Sequence, residues 1–374
     1  MNRKLLPSLI ALMTVGAAGV VNAADNIPTV YGKVNVTLNN YKFDSIASST
    51  DSYKSLDNWK LESNASRIGV KGDYDISGEL KAIYKLEFEV YPDGDSSSNV
   101  FGQRNTYAGL QGGWGTLFAG KNDTPLKAIA AETVQLFKDL PLGDFKYVMV
   151  GENRPNNIIQ YATPKMSGFI FSLQVAPGEQ TGSKGSSGTG STKNTNHGLV
   201  DTYSAALTYN TDGVYLAIAD DQNQSNTNTV RAVGQFDIGP VKLGALAQQA
   251  KRDNSTIAGS DAYIQSVSGL PGSVKSPIAD FGSDYEKQDA YALSAAWKID
   301  AWTLKGQYAQ STSKRVSNLS DTKAKNYALG VDYALNKNAK VFAYYAAIDT
   351  DGDSSVYDGK LKDKTVAVGW EFKF

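Results

Sequence analysis

Three short stretches carry residue types that could do chemistry. Gly115 to Asn122 reads GTLFAGKN, which matches the spacing of a phosphate-binding loop as far as Lys121. Such a loop cradles phosphates with backbone amides and needs a Ser or Thr after the lysine to hold magnesium. Asn122 stands there instead, the glycines fall within a strand-like run, and no sustained helix follows. Nucleotide binding is therefore not expected. Asp349, Asp351 and Asp353, in DTDGDSS, resemble the start of a calcium loop, but the glycine is misplaced and the closing glutamate is missing. They read as a solvated turn, as does Asp93-Gly94-Asp95. His197 is the one histidine, and it lies in TGSKGSSGTGSTKNTNHG, whose composition is that of a flexible linker. A triad or metal centre built on it would rest on a poor scaffold. Carboxylates are plentiful, yet none forms a distinctive acid–base pair. The chain is not read as an enzyme, and no cofactor or metal is expected.

Composition narrows the field further. The chain holds 37 Lys and Arg against 38 Asp and Glu, a net charge of −1, so nothing favours nucleic acid as a partner. Cysteine is absent, which excludes disulfides and thiolate metal sites. Residues 1–23 read as an export signal: Arg3 and Lys4, an apolar run from Leu5 to Val21, then Val21-Asn22-Ala23 as a small-residue cleavage site. Beyond it, no apolar run reaches the roughly 18 residues that a transmembrane helix needs. No linker, repeat or composition break divides residues 24–374, which read as a single domain.

The dominant signal along that domain is period-two alternation. In KAIYKLEFEV, Leu80, Ala82, Tyr84, Leu86, Phe88 and Val90 fall on one face, and Lys81, Lys85, Glu87 and Glu89 on the other. The last strand repeats the pattern with Val366, Val368, Trp370, Phe372 and Phe374. Sixteen such segments can be counted, roughly 29–41, 58–74, 79–91, 101–112, 114–121, 154–163, 169–176, 200–210, 214–221, 229–237, 240–250, 287–298, 301–312, 323–334, 339–348 and 363–374. Short connections alternate with long ones, the long ones at 42–57, 92–100, 122–153, 177–199, 222–228, 251–286, 313–322 and 349–362.

Tight turns at one end and long loops at the other, on an even strand count, fit an outer-membrane barrel. In hydrocarbon every backbone group must be paired internally, so a β protein spans only as a closed ring. Aromatics near segment ends, Tyr31, Tyr74, Tyr161, Tyr209, Trp297, Trp302, Trp370 and Phe374, fit interfacial girdles. The predicted fold is all-β: a 16-stranded antiparallel transmembrane β-barrel, too wide for side chains to fill and hence water-filled.

The third long connection, 122–153, is the exception to loop chemistry. It carries Leu126, Ile129, Val134, Leu136, Phe137, Leu140, Leu142, Phe145, Val148 and Val150, too much apolar surface to leave in water. Thr124, Pro125 and the Ala-rich run after them read as an N-cap, a first-turn proline and a short helix. Such a segment must be tucked against something, and the lumen offers the space. Alternation also places two cations inside. Arg67 is out of phase with Ile68 and Val70, and Lys33 with Val34, Val36 and Leu38.

TVYGKVNVTLNNY, SRIGVKGDYD, RNTYAGLQGGWGTLFAGK, RPNNIIQYATPKMSGF and the closing WEFKF resemble the general diffusion porins of Gram-negative outer membranes. That resemblance implies a homotrimer of sixteen-stranded barrels, with the third external loop folded inward as a constriction. It implies that basic wall residues, here Lys33, Arg67, Arg104 and Arg154, face loop carboxylates, here Glu132, Asp139 or Asp144. The closing Phe374 resembles the family's terminal aromatic. Implied partners are outer-membrane lipid and lipopolysaccharide, further copies of the chain, and small hydrophilic solutes and ions. The function read from this is passive diffusion across the outer membrane. A substrate-specific channel, a surface adhesin or structural barrel, and a barrel hydrolase are the alternatives; the hydrolase lacks a plausible base. Anion or cation preference stays open, because Lys127, Lys138 and Lys146 share the loop with its carboxylates.

Overall fold

The computed structural model describes residues 27–46, 54–95, 100–131, 133–177, 198–225, 227–252, 285–315, 320–353 and 358–374. The expected export signal, Glu132 and His197 lie outside them. The strands are β1 (Thr29–Ile46), β2 (Lys54–Ser63), β3 (Arg67–Ser77), β4 (Leu80–Glu89), β5 (Gly102–Gly112), β6 (Gly115–Lys121), β7 (Ile158–Ala162), β8 (Phe169–Ala176) and β9 (Thr202–Thr211). There follow β10 (Val214–Gln224), β11 (Thr227–Ile238), β12 (Val241–Arg252), β13 (Tyr285–Ile299), β14 (Trp302–Arg315), β15 (Thr322–Ala334), β16 (Ala339–Asp353) and β17 (Asp358–Lys373). One helix, α1 (Pro125–Ala131), and a 3-10 turn, Phe145–Tyr147, lie between β6 and β7.

Sequence neighbours pair antiparallel, and β1 pairs with β17 from Lys33↔Lys373 to Lys42↔Lys364, which closes the ring. β2 and β3 are two halves of one barrel strand. The upper part of β1 pairs with β2 and its first residues, Thr29 to Lys33, with β3. The break falls at Asn64 to Ser66, where Ala65 has a φ of +50°. Asn64 N–H still donates to Asn35 O, and Asn35 N–H donates to Ser66 Oγ at 2.9 Å. The barrel therefore has sixteen strands, as the alternation predicts.

Strands reach further past the membrane band than the sequence suggests. The expected long loop 222–228 is much shorter, because β10 runs to Gln224 and β11 begins at Thr227, with Asp221 opposite Thr229 and Gln224 opposite Thr227. Asp349, Asp351 and Asp353, expected in a turn, belong to β16, with Asp349 opposite Lys362 and Asp351 opposite Lys360. On the other side, two-residue turns such as Gly78-Glu79, Asp212-Gly213 and Asp300-Ala301 join the strands.

The two faces of the wall differ sharply. Large apolar side chains stand exposed at alternate positions: Leu293 is 55% exposed, Leu329 64%, Val366 57% and Trp370 48%. Exposed apolar surface on this scale suits lipid, not water. The opposite positions carry polar groups or alanine. Ala290, Ala292, Ala309, Ala324, Ala328, Ala346 and Ala367 are buried and pack with the apolar residues of 126–149 in one cluster. Tyr31 is a correction to the girdle reading. Its hydroxyl donates to Glu87 at 2.9 Å, so it sits on the polar face.

Candidate functional site

The glycines that imitated a phosphate loop have a packing role in β6. A Cβ on Gly115 (φ +121°) would meet Ala162 O at 2.3 Å, and one on Gly120 (φ +145°) would meet Thr106 O at 2.3 Å. They let β6 lie close against its neighbours just before the long segment starts.

That segment leaves β6 at Lys121 and returns at β7, later than expected, because Arg154-Pro155-Asn156-Asn157 does not join the strand. Pro155 lacks an N–H for the ladder and Asn157 has a φ of +56°. Thr124 Oγ1 accepts from Lys127 N at 3.2 Å and caps α1, whose Leu126 N–H donates to Ser204 Oγ on β9. Thr124 N–H donates to Asn153 O, so the two arms of the segment meet at its root.

Polar wall side chains hold the segment by its backbone. Arg231 on β11, fully buried, donates to Glu152 Oε1 at 2.9 Å and to the carbonyls of Leu126 and Val150. Gln248 donates to Val150 O and Gln288 accepts from Val150 N. Further along, Gln307 accepts from Leu136 N and donates to Gly143 O, Asn326 donates to Leu142 O, and Tyr344 donates to Pro141 O. Phe137 is buried beneath Lys305, whose Nζ lies 4.8 Å from the ring centroid. Alternation marks these residues only as polar and inward, like many others on the wall.

Asp139 is where segment and wall charges meet. Its Oδ2 lies 3.1 Å from Lys33 Nζ and 3.9 Å from Arg67 Nη1. Burial alone would raise the Asp139 carboxyl; Lys33, Arg104, Arg67 and Lys138 together hold it well below the usual carboxylate range. Lys33 and Arg67 are direct partners in the register, and the row continues to Lys373 on one side and Glu89 on the other.

Arg104 reaches the same region by a device that alternation hides. Leu86 pairs with Thr106 but Phe88 pairs with Gln103, so Glu87 faces both Arg104 and Asn105 across a β-bulge. In strict phase Arg104 would share the lipid face with Ala108 and Leu110. The bulge turns it inward, where Nε donates to Glu87 at 3.0 Å and Nη1 to Glu89 at 2.9 Å. Glu87 is thus held by Arg104, Tyr31 and Lys85 and not by the water of the bore alone.

The other nominated residues stand elsewhere. Arg154 lies on the segment and pairs with Asp123 at 2.9 Å, a carboxylate that also holds Lys127 at 3.0 Å. Burial would raise Asp123, but Lys127 and Arg154 hold it well below the usual range. Asp144 caps the 3-10 turn, accepting from Lys146 N, Asp139 N and Gln135 Nε2. It braces the turn that presents Asp139 and makes no ion pair with Lys33, Arg67 or Arg104 within 4.0 Å.

Two cavities flank this group and share Arg104 and Lys138 in their linings. One, of about 320 Å³, opens toward the β2–β3 break; the other, of about 380 Å³, reaches Tyr31, Lys373 and Phe374.

Residues 8–353 match the family model described as Gram-negative porin. The chain belongs to that family. It is 25% identical over 336 residues to the major outer membrane protein P.IB of Neisseria gonorrhoeae, covering 88% of this chain and 90% of that protein. Among solved structures it is similar to the anion-selective porin from Comamonas acidovorans, with a TM-score of 0.67 at 20% identity, covering 94% of this chain and 100% of that one. It is also similar to a trimer form of OmpT from Vibrio cholerae, with a TM-score of 0.61 at 14% identity over 93% and 99% of the two chains. This porin is thus an outer-membrane barrel, and its function is that of a diffusion channel. The family acts as channels, not as enzymes.

Proposed function

We propose that residues 122–153 of this porin fold into the bore and set its narrowest part, where Asp139 faces Lys33, Arg67 and Arg104. Small hydrophilic solutes and ions pass by passive diffusion, and anions pass preferentially. The observation that carries this reading is the 3.1 Å pair between Lys33 on the wall and Asp139, 106 residues away in the chain. A contact of that kind needs the segment to leave the wall at β6 and reach back to β1, four barrel strands away. Charges facing each other across less than the Debye length of about 8 Å are only partly screened at physiological salt, so they act on every passing ion.

The lining charges support the preference for anions. The cavity that reaches Phe374 has six basic side chains, Lys33, Arg67, Lys85, Arg104, Lys138 and Lys373, against the two acidic ones Glu87 and Asp123. Lys373, Lys33 and Arg67 also lie in one cross-strand row, a short cationic track along the wall. A fold neighbour bears the description anion-selective, which agrees with this reading. The porin works as a homotrimer in a bilayer of outer-membrane lipid and lipopolysaccharide, after removal of residues 1–23; the neighbour solved in a trimer form supports the assembly.

Single-channel recording in a planar bilayer tests the proposal. Steps in groups of three are expected, with a zero-current potential in a KCl gradient whose sign marks chloride as the faster ion. Lys33→Glu should move that potential toward the cation side. A cation-selective parent channel, or a Lys33→Glu channel with unchanged selectivity, would overturn the reading.

A further inference from the structure

Three aromatic rings lie on the inner face of the wall, on the short-turn side of the charges that meet at Asp139. Ala108, Leu110, Leu117 and Ala119 face lipid, so Tyr107 on β5 and Phe118 on β6 point inward. Their rings stack with centroids 4.2 Å apart. Tyr31 on β1 is the third. Each stands directly opposite a glycine: Tyr31↔Gly69, Tyr107↔Gly120 and Gly109↔Phe118. A Cβ on Gly69 would lie 2.5 Å from Tyr31 Cζ, so that ring lies across β3 and its hydroxyl reaches Glu87 on β4. Rings laid along bare backbone present their faces to whatever passes.

Cations stand over the same patch. Lys71 Nζ lies 5.5 Å and Lys85 Nζ 5.8 Å from the Tyr31 ring centroid. The two lysines are cross-strand partners, and Lys85 is also opposite Tyr107. Like charges directly opposite one another destabilise a sheet. Lys85 has Glu87 at 3.4 Å, whereas Lys71 is exposed and makes no ion pair within 4.0 Å among the described residues. The cavity of about 380 Å³ is lined here by Tyr31, Arg67 and Lys85.

Conduction of small ions gives no reason for the rings. An aromatic face is negative, so chloride gains nothing from it. A solute that joins a flat ring to a carboxylate gains twice: its ring stacks on Tyr107 and Tyr31, and its charge meets Lys71 and Lys85. A saccharide would need free carboxylates beside the rings, and Glu87 is already held by Arg104, Tyr31 and Lys85.

We propose that Tyr31, Tyr107 and Phe118, with Lys71 and Lys85, form a subsite for small aromatic carboxylates. Tyr107 lies three residues further down β5 than Arg104, about 10 Å at ~3.3 Å per residue, so a solute leaving the narrow part passes over the rings. The inference rests on the conduction reading and deepens it by naming a solute class.

The test is the chloride current of the refolded porin in a planar bilayer at fixed KCl, with benzoate added to both sides. Acetate supplies the charge without the ring, benzyl alcohol the ring without the charge, and maltose stands for a neutral sugar. Benzoate should block the current along a saturating curve, and the other three should not. An aromatic pair is worth about two- to tenfold in affinity, so Tyr107→Leu should raise the half-blocking concentration by that factor. Lys71→Gln, at an exposed site outside any ion pair, should raise it roughly two- to fivefold. Each variant is normalised to its own current in KCl alone, and Lys71→Gln stays decisive if Tyr107→Leu does not fold. The proposal is overturned if benzoate gives no saturable block, if acetate, benzyl alcohol or maltose blocks equally, or if Lys71→Gln is blocked as the parent is. These failures appear only once benzoate is present and leave the conduction reading standing. A cation-selective parent in KCl alone overturns that reading and the subsite with it.

Discussion

Lys33 Nζ on β1 and Asp139 Oδ2 in the β6–β7 segment stand 3.1 Å apart, with Arg67 0.8 Å further from the same oxygen. Among the described residues, Asp139 is the carboxylate of the segment that stands within 4.0 Å of the wall row of cations Lys373, Lys33 and Arg67. Asp139→Asn should therefore leave Glu371, 3.8 Å from Lys33 and 3.3 Å from Lys373, as the nearest counter-charge and make the channel more anion-selective. A partly exposed pair is worth about 0.5–1 kcal/mol, so the chloride-to-potassium permeability ratio should rise roughly two- to fivefold. Zero-current potentials measure it; an unchanged ratio would mean that Asp139 does not face the ion path.

Arg104→Ala acts in the opposite sense. The guanidinium is buried against Glu87 and Glu89, and its removal leaves two carboxylates beside the bore. Selectivity should shift several-fold toward cations and conductance should rise as the lumen gains volume. Arg104→Lys keeps the charge but cannot donate to both glutamates from one planar group, so it should restore selectivity without the parent's stability. Reversal potential and thermal denaturation, measured on both variants, separate these effects.

Much of this architecture is legible in the sequence because a lipid-facing strand leaves a plain trace. Tyr291, Leu293 and Trp297, with Gln288, Ala290 and Ala292 between them, read as one greasy face and one polar or small one. Lys33 and Arg67 follow from the same phase. Arg104 does not, because a bulge shifts the phase by one residue and the sequence carries no mark of it. Arg231, Gln307 and Asn326 are hidden for another reason. Their alternation is correct but uninformative, since only the folded ring tells which inward polar residues meet a carbonyl of the segment. The alanines at 290, 292, 309, 324 and 328 were a usable clue, because a wall facing only water has no need of small apolar residues.

The pH dependence follows from Asp139 and Asp123. Both carboxyls are held well below the usual range by adjacent cations that outweigh the effect of burial. A carboxyl whose folded pKa is depressed contributes stability above its unfolded value, about 3.9, and loses it only as pH falls through the lower folded value. The ion pairs at Lys33 and Arg154 should thus persist from neutral pH to about pH 4, with constant selectivity and conductance over that range. Channels that lose selectivity already between pH 6 and 5 would show that these carboxyls titrate above their ordinary value of about 3.9, so that burial and not the adjacent cations prevails.

Arg231 is the strongest anchor of the segment, and its removal should be felt twice. The side chain is wholly enclosed, and its Glu152 partner is nearly so, at 0% and 5% exposure. Burial pushes the Glu152 carboxyl up, against the pull of Arg231 and Lys127, so the arginine is what keeps a charge tolerable there. Arg231→Ala strips one partner from a buried pair, a loss of about 3–5 kcal/mol. The folded barrel should convert to its unfolded form at a lower temperature on semi-native electrophoresis. The second effect is on conduction. Val150 and Leu126 lose their tether to β11, and the root of the segment can shift, so open-channel current should become noisier. Arg231→Met with Glu152→Gln removes both charges and keeps the volume, and it should regain most of the thermal loss while the noise remains. If the double variant is as unstable as Arg231→Ala, the cost lies in the lost carbonyl contacts of Arg231 and not in a stranded carboxylate.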